Sequence, residues 1–347
     1  MQPSAPVGGG KRPVILVRNL SVEYVTPRGV VKAVRGVNLD VYPGEILFIV
    51  GESGSGKSTL GLSLINLVPS PGRIREGEIL YDMGGKSVDV RSLSPEELRE
   101  FRWRHVSMVF QSALNALNPV LRIWDQLYDT IQAHDRSISR EEAYERIRGL
   151  LSIVRLDADR VLKSYPHELS GGMRQRVMIA MALLLNPKVV ILDEPTTALD
   201  ILTQKNIIEL LKKIREERGL TMIFITHDLS LAAELADRVA VMYAGVIVEV
   251  ADVYTLFYRP WHPYTYALIK TVPKLTSVEE ELYPIPGSPP DMIHLPPGCK
   301  FHPRCPYRVD LCVESEPSLE EVEPGHYVAC HRWRELKLGE VAEKWRT

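Results

Sequence analysis

Cysteine is missing from nearly the whole chain: Cys299, Cys305, Cys312 and Cys330 all fall near the C-terminal end. Thiol chemistry is therefore confined to that region. Long apolar runs are missing too. The longest, such as residues 239–248, reach about half of the ~20 residues that cross a bilayer, so no spanning helix is expected. Residues 1–10 lack the charged and apolar regions of a secretory signal, and 1–12 read as a flexible tail. Excess charge is also missing. The formal net charge of −2 gives no reason to expect nucleic acid or a polybasic membrane anchor. A cytoplasmic chain is expected, one that docks on a spanning partner if it works at a membrane. Without an export signal, disulfides are not expected. The 45% hydrophobic and 25% charged residues are those of a soluble globular protein. A length of 347 residues exceeds the ~250–300 at which single cores stop growing, so one large and one small domain are expected.

The stretch Gly51-Glu52-Ser53-Gly54-Ser55-Gly56-Lys57-Ser58-Thr59 organises the rest. It follows the apolar run Ile46–Val50 and leads into the helical pattern of residues 60–65. Strand, glycine-rich loop and helix are the context that the pattern G-x-x-x-x-G-K-S/T requires. Glycines let the backbone turn tightly and aim successive N–H groups at an anion. The helix N-terminus adds the positive end of its dipole. Lys57 would reach the β- and γ-phosphates, and the Ser58 hydroxyl would ligate Mg²⁺. A nucleoside triphosphate is the expected ligand.

Upstream, residues 14–17 and 20–24 read as strands, 30–41 as short β-rich pieces and 77–81 as a further strand. Ser94-Pro95-Glu96-Glu97 opens a helix with an N-cap and an acidic first turn. Residues 106–110 form a strand with Gln111 at its end. From 123 to 185 the pattern turns helical, with an amphipathic helix over 141–156. Leu169-Ser170-Gly171-Gly172-Met173-Arg174-Gln175-Arg176 leads into a helix over 177–185, and Ser-Gly-Gly there suits an N-cap or an anion cradle. The apolar run 189–192 reads as a buried parallel strand ending at Asp193-Glu194, where open α/β sheets bind ligands. In a chain with a phosphate loop, one carboxylate suits Mg²⁺ and the other an attacking water. Thr221–Thr226 is a second buried strand, ending at His227-Asp228. Ile201–Arg218 is the crossover helix between the two.

Together these residues resemble the nucleotide-binding subunit of an ATP-binding-cassette (ABC) transporter over 14–260, with the motifs in family order. The resemblance implies an α/β P-loop NTPase with a RecA-like core. It adds an N-terminal antiparallel β subdomain and a helical subdomain inserted at about 112–186, within an ABC ATPase domain at 13–260. It makes Tyr24 the aromatic that stacks on adenine. Gly51, Ser53, Gly54, Ser55, Gly56, Lys57, Ser58 and Thr59 become the Walker A residues around ATP. Gln111 is the Q-loop glutamine and, with Ser58 and Asp193, a Mg²⁺ ligand. Ser170, Gly171, Gly172 and Gln175 belong to the signature that acts on a partner's site, with Met173 where the general LSGGQ has glutamine. Glu194 is the catalytic glutamate, His227 the switch histidine and Asp200 the D-loop aspartate of Ala198-Leu199-Asp200. Two ATP molecules would then join two subunits head to tail until hydrolysis parts them.

Residues 261–347 narrow the family. Trp261-His262-Pro263-Tyr264-Thr265, a helix at about 266–271, Pro286-Gly287-Ser288-Pro289-Pro290 and the cysteine run are similar to the C-terminal extension of dipeptide/oligopeptide importer ATPases. The resemblance implies ATP-driven peptide import with an external binding protein, two membrane permeases and a second, non-identical ATPase subunit. The place of work would be the cytoplasmic face of the membrane. Some members carry other solutes, including nickel and oligosaccharides. A soluble ABC ATPase of translation or DNA repair would share the cassette, but usually has tandem cassettes or long coiled-coil insertions, and an exporter would lack this extension. The cysteine spacings of five, six and seventeen intervening residues are not the paired C-x₂-C of common zinc sites. Four such thiolates can enclose a [4Fe–4S] cluster, with Lys300, Arg304 and Arg308 offsetting its charge. Some family members hold such a cluster, so it is the expectation. Zn²⁺, recruiting His302 or His331, is the alternative. The role would be structural, because a proline-rich segment without periodicity builds little core of its own.

Overall fold

The computed structural model describes residues 12–111, 116–197, 199–271, 285–336 and 338. Nearly all of the expected tail, the first residues of the expected insert and Ala198 thus lie outside the described residues. The chain divides into two compact units, Met1–Arg91 with Ile225–Thr347, and Ser92–Phe224.

The first unit begins with β1 (Ile15–Thr26) and β2 (Gly29–Val41), each unbroken where the sequence suggested short pieces. Register shifts between Val17 and Leu20, and between Leu20 and Val22, account for the difference. A bulge interrupts the polar–apolar alternation without ending the strand. β3 (Ile46–Val50), buried throughout, runs into the loop before α1 (Lys57–Leu64). β4 (Gly72–Met83) and β5 (Lys86–Asp89) complete an antiparallel sheet of order β2-β1-β4-β5.

In the second unit, α2 (Pro95–Arg104) opens on a reciprocal cap. Glu97 N–H donates to Ser94 Oγ at 3.2 Å, and Ser94 N–H donates to the Glu97 carboxylate at 2.8 Å. β6 (Val106–Val109) is followed by α3 (Ile123–Gln132), α4 (Arg140–Ile153), α5 (Ala158–Val161) and α6 (Gly171–Ala182), which form the helical insert. β7 (Val189–Asp193) pairs parallel with β6. α7 (Ile201–Arg218) spans the expected crossover residues, and β8 (Thr221–Thr226) lies beside β7. α6 starts at Gly171 rather than at residue 177. Ser170 Oγ accepts from Met173 N–H at 3.3 Å, and that cap lets two glycines occupy the first turn.

The first unit resumes with α8 (Leu229–Leu235), β9 (Arg238–Tyr243), β10 (Val246–Asp252), α9 (Val253–Tyr258) and α10 (Pro263–Lys270). α11 (Asp310–Glu314), β11 (Glu320–Glu323), β12 (His326–Val328) and α12 (Trp333–Leu336) follow. β3 pairs parallel with β9, and the order continues outward as β9-β10-β12-β11. The C-terminal extension therefore adds two strands to the sheet, with Glu249 opposite Val328 and Val250 opposite Tyr327. It also buries Phe301, Cys312, Val328 and Ala329. A strand of three residues is too short to show an alternating pattern. Among the described residues, no helix is long and apolar enough to cross a membrane.

At the start of β9, Arg238 Nη1 lies 3.2 Å from both oxygens of the buried Glu45 carboxylate. Burial raises the Glu45 pKa above its usual value, and Arg238 draws it back. Arg238→Met should destabilise the fold by about 3–5 kcal/mol at pH 8, because it leaves a buried carboxylate unpaired. A carboxyl with a raised folded-state pKa is tolerated in its protonated form. The loss should therefore shrink as pH falls towards 5, which urea denaturation at both pH values will show.

Candidate functional site

The phosphate loop is pressed against neighbouring backbone at two points. Gly51 takes φ 152 and Gly56 φ 103; a Cβ on either would stand 2.1 Å from a carbonyl oxygen, that of Met242 or of Ala33 respectively. Only glycine fits both the space and the dihedral. Gly54, at φ 78, has open space where its Cβ would be. Lys57 is 6% exposed and arches back over the loop. Its Nζ donates to Gly51 O at 2.7 Å, Glu52 O at 2.9 Å and Ser55 Oγ at 3.4 Å. Gly245 N–H, at the β9–β10 turn, donates to Ser55 O at 2.9 Å. Ser58 and Thr59 lie in the first turn of α1, and the Tyr24 hydroxyl is 3.3 Å from Thr59 Oγ1. The structure thus brings Tyr24 and the whole Walker A stretch together on one unit. His227, exposed, belongs to the same unit and follows β8.

The second unit gathers the remaining expected residues. Asp193 closes β7 and is 3% exposed. Glu194 takes φ 50, uncommon for glutamate, and its Oε2 accepts from Thr197 Oγ1 at 2.8 Å. Asp200 caps α7, accepting from Thr203 N–H at 3.0 Å and Thr203 Oγ1 at 2.6 Å. Those two bonds, the hydroxyl's foremost, hold its carboxyl below the usual range. A Cβ on Gly172 would stand 2.6 Å from Thr203 Cγ2, so the signature turn packs closely on the start of α7. Gln175 is buried in α6, whereas Gln111 is exposed just after β6.

All four cysteines line one small cavity in the first unit, together with His302 and His331. Cys299 N–H donates to Cys312 O at 2.8 Å. Burial pushes the Cys299 thiol up to about 11 and that of Cys330 up to about 12. Burial raises Cys305 as well, against the pull of Arg332 and Arg308. Among the described residues, no group of three or more His, Cys, Asp or Glu has metal-holding geometry.

Sequence reasoning missed two residues at the phosphate loop. Glu52 N–H donates to the Tyr264 hydroxyl at 2.9 Å. Arg304 donates from Nη1 and Nη2 to the Glu52 carboxylate at 2.7 and 3.0 Å. Their separations from Glu52, 212 and 252 residues, leave no local pattern to find.

Two family models match the chain: the ABC transporter over residues 34–197, and the oligopeptide/dipeptide transporter C-terminal region over 248–312. The dipeptide transport ATP-binding protein DppD of Caldanaerobacter subterraneus subsp. tengcongensis is 43% identical, over 93% of this chain and 98% of its own length. The chain belongs to the dipeptide/oligopeptide family of ABC-transporter ATP-binding subunits. Similarity to the oligopeptide transport ATP-binding protein OppD of Escherichia coli is also 43%, over 91% of this chain and 92% of that one. The dimeric structure of MJ0796, a bacterial ABC transporter cassette, superposes with a TM-score of 0.59 at 32% identity, covering 69% of this chain and 98% of that one. A post-hydrolysis state of the same cassette, bound to ADP and Pi, matches equally well. The ABC subunit is thus an ATPase with a mixed α/β cassette fold.

The packing of the loop separates its glycines. Without nucleotide, Gly54→Ala should cost only the ~1–2 kcal/mol of a left-handed backbone. Gly56→Ala, which must also displace the Ala33 carbonyl, should cost more. Thermal denaturation of the two variants measures the difference.

Proposed function

We propose that this chain hydrolyses ATP to power import of di- or oligopeptides. It would act with a second, non-identical ATPase subunit, two membrane permeases and an external binding protein, at the cytoplasmic face of the membrane. The observation that carries this reading is the near full-length 43% identity to a dipeptide transport ATP-binding protein, with the phosphate loop and the C-terminal extension on one chain. In this reading the ABC ATPase domain occupies 13–260 and the extension 261–347. Tyr24 stacks on the adenine, and Lys57 with the loop N–H groups takes the phosphates. Ser58, Gln111 and Asp193 would hold Mg²⁺, since a hydroxyl, a carboxamide and a carboxylate are the hard oxygen donors that it takes. Bound there, the ion neutralises phosphate charge. Glu194 orients or deprotonates the attacking water, and His227 holds the γ-phosphate. Ser170, Gly171 and Gly172 of one subunit face the ATP of its partner. A γ-phosphate gripped from both sides favours closure only before hydrolysis. Gln111 and the helical insert pass closure and reopening to the permeases.

Glu194→Gln should keep Mg·ATP affinity near that of the unaltered chain and lower phosphate release by about 10²-fold or more. Full-rate hydrolysis by that variant would overturn the assignment. Uptake of labelled peptide, in preference to labelled sugar, by the reconstituted complex tests the solute.

In this reading the four thiols that share one cavity, with Cys299 N–H bonded to Cys312 O, would hold a [4Fe–4S] cluster. Such a cluster would cross-link the extension, and Arg308 and Arg332 lie near enough to Cys305 to offset thiolate charge. Zn²⁺ is the second reading, because His302 and His331 line the same cavity. Protein purified without air should carry iron and acid-labile sulfide in equal amounts. Zinc without iron would reverse the order.

A further inference from the structure

We propose that the C-terminal extension positions the phosphate loop: Arg304 and Tyr264 hold Glu52, and through it they set the affinity for ATP. The inference rests on the ATP reading above and assigns Arg304 and Tyr264 as positioning residues for that site. Glu52 directly follows Gly51, and each of its polar groups is taken. Its carbonyl accepts from Lys57 Nζ, its N–H donates to the Tyr264 hydroxyl, and both carboxylate oxygens accept from the Arg304 fork. Two of those three holds come from the extension. The same Lys57 Nζ also bonds Gly51 O, so the backbone that seats this lysine is the backbone that the extension grips.

The gripping residues are themselves fixed. The Arg304 side chain is 5% exposed, against 26% for Glu52. Its Nε donates to Pro286 O at 2.7 Å, and Nη1 donates to the Tyr243 hydroxyl at 3.3 Å. Its guanidinium lies over the rings of Tyr243 and Phe301. Tyr264 is fully buried, its ring centroid 4.6 Å from that of Tyr243. Its own N–H donates to His262 Nδ1 at 3.0 Å, which caps α10 and sets the direction of the tyrosine. The run His262-Pro263-Tyr264 thereby acquires a physical role at the phosphate loop. Arg304 lies between Cys299 and Cys305, and Cys305 N–H donates to His302 O at 3.2 Å within that same loop. A phosphate cradle works by presenting N–H groups already aimed, so that binding does not have to order them. An attachment that served only to hold the extension on the fold would stabilise the chain without touching nucleotide affinity.

The test uses the full chain carrying Glu194→Gln, so that ATP is not consumed, and measures the Kd for Mg·ATP beside the thermal midpoint without nucleotide. Arg304→Lys, which keeps the charge and loses the fork, should raise Kd by about tenfold. Tyr264→Phe, which removes one oxygen from a buried ring, should raise it several-fold. Combining Arg304→Lys with Glu52→Gln should be no worse than the more damaging single change, because both break one interaction. Variants with a lowered midpoint and an unchanged Kd would overturn the proposal in favour of simple attachment. Should Arg304→Lys fail to fold, Tyr264→Phe decides alone: a raised Kd supports the clamp and an unchanged Kd ends it. Absence of binding by the chain without either change would sink the ATP reading, and the clamp with it.

Discussion

The carbonyl oxygens of Ala33 and Met242 leave no space for a side chain at Gly56 and Gly51, and that backbone contact fixes where the phosphate loop lies. One oxygen belongs to β2 and the other to β9, so the antiparallel sheet and the parallel pair β3–β9 meet beneath the loop. The β9–β10 turn completes the bed. Gly245 N–H reaches Ser55 O, and Arg35 N–H reaches Gly245 O at 2.8 Å. The loop is held through its carbonyls, by Lys57 and Gly245, and through the Glu52 N–H, by the Tyr264 hydroxyl.

In the second unit, side chains satisfy backbone donors at two helix starts. Ser170, expected in the signature, and Asp200, expected in the D-loop, each accept from a backbone N–H one turn on and so cap α6 and α7. Both caps order the turns where the signature and the D-loop are expected. Thr203 links them, bonding to Asp200 and packing beside Gly172. Glu194, in its uncommon backbone conformation, is steadied by Thr197. Strain of this kind persists only where the surroundings enforce it, and it sits at the residue expected to handle the attacking water.

The sequence made the centre of the fold plain and its edges obscure, for physical reasons. β3, β7 and β8 are fully buried, so they read as short continuous apolar runs. α7 keeps the bounds expected of the crossover helix, with Asp200 capping its start and Gly219, at φ 61, ending it. β1 and β2 run longer than their alternating pattern suggests, because bulges shift that pattern. α6 starts before the pattern indicates, because two glycines in a first turn resemble a loop and only the Ser170 cap makes them helical. β11 and β12 left no trace, being only four and three residues long. In the candidate site, every Walker A residue was legible from local spacing. The hold of Arg304 on Glu52 was not, since tertiary contacts across most of the chain leave no periodicity behind.

The other hold on Glu52, by Tyr264, depends in turn on a buried polar hub at Glu249. Its carboxylate accepts from Trp261 N–H at 2.7 Å and His262 N–H at 2.9 Å, and its Oε1 lies 2.7 Å from His326 Nε2. β10, the turn into α10 and β12 therefore converge on one fully buried carboxylate. Burial depresses the pKa of His262 to about 4. At neutral pH its Nδ1 accordingly keeps the lone pair that receives the Tyr264 N–H. A protonated ring would have only donors and would release that cap. The chain of causes runs from a buried carboxylate that fixes the entry to α10, through a histidine held neutral, to a tyrosine aimed at the phosphate loop. A C-terminal extension built on this hub is therefore part of the architecture around the phosphate loop, joined to it by hydrogen bonds at every step.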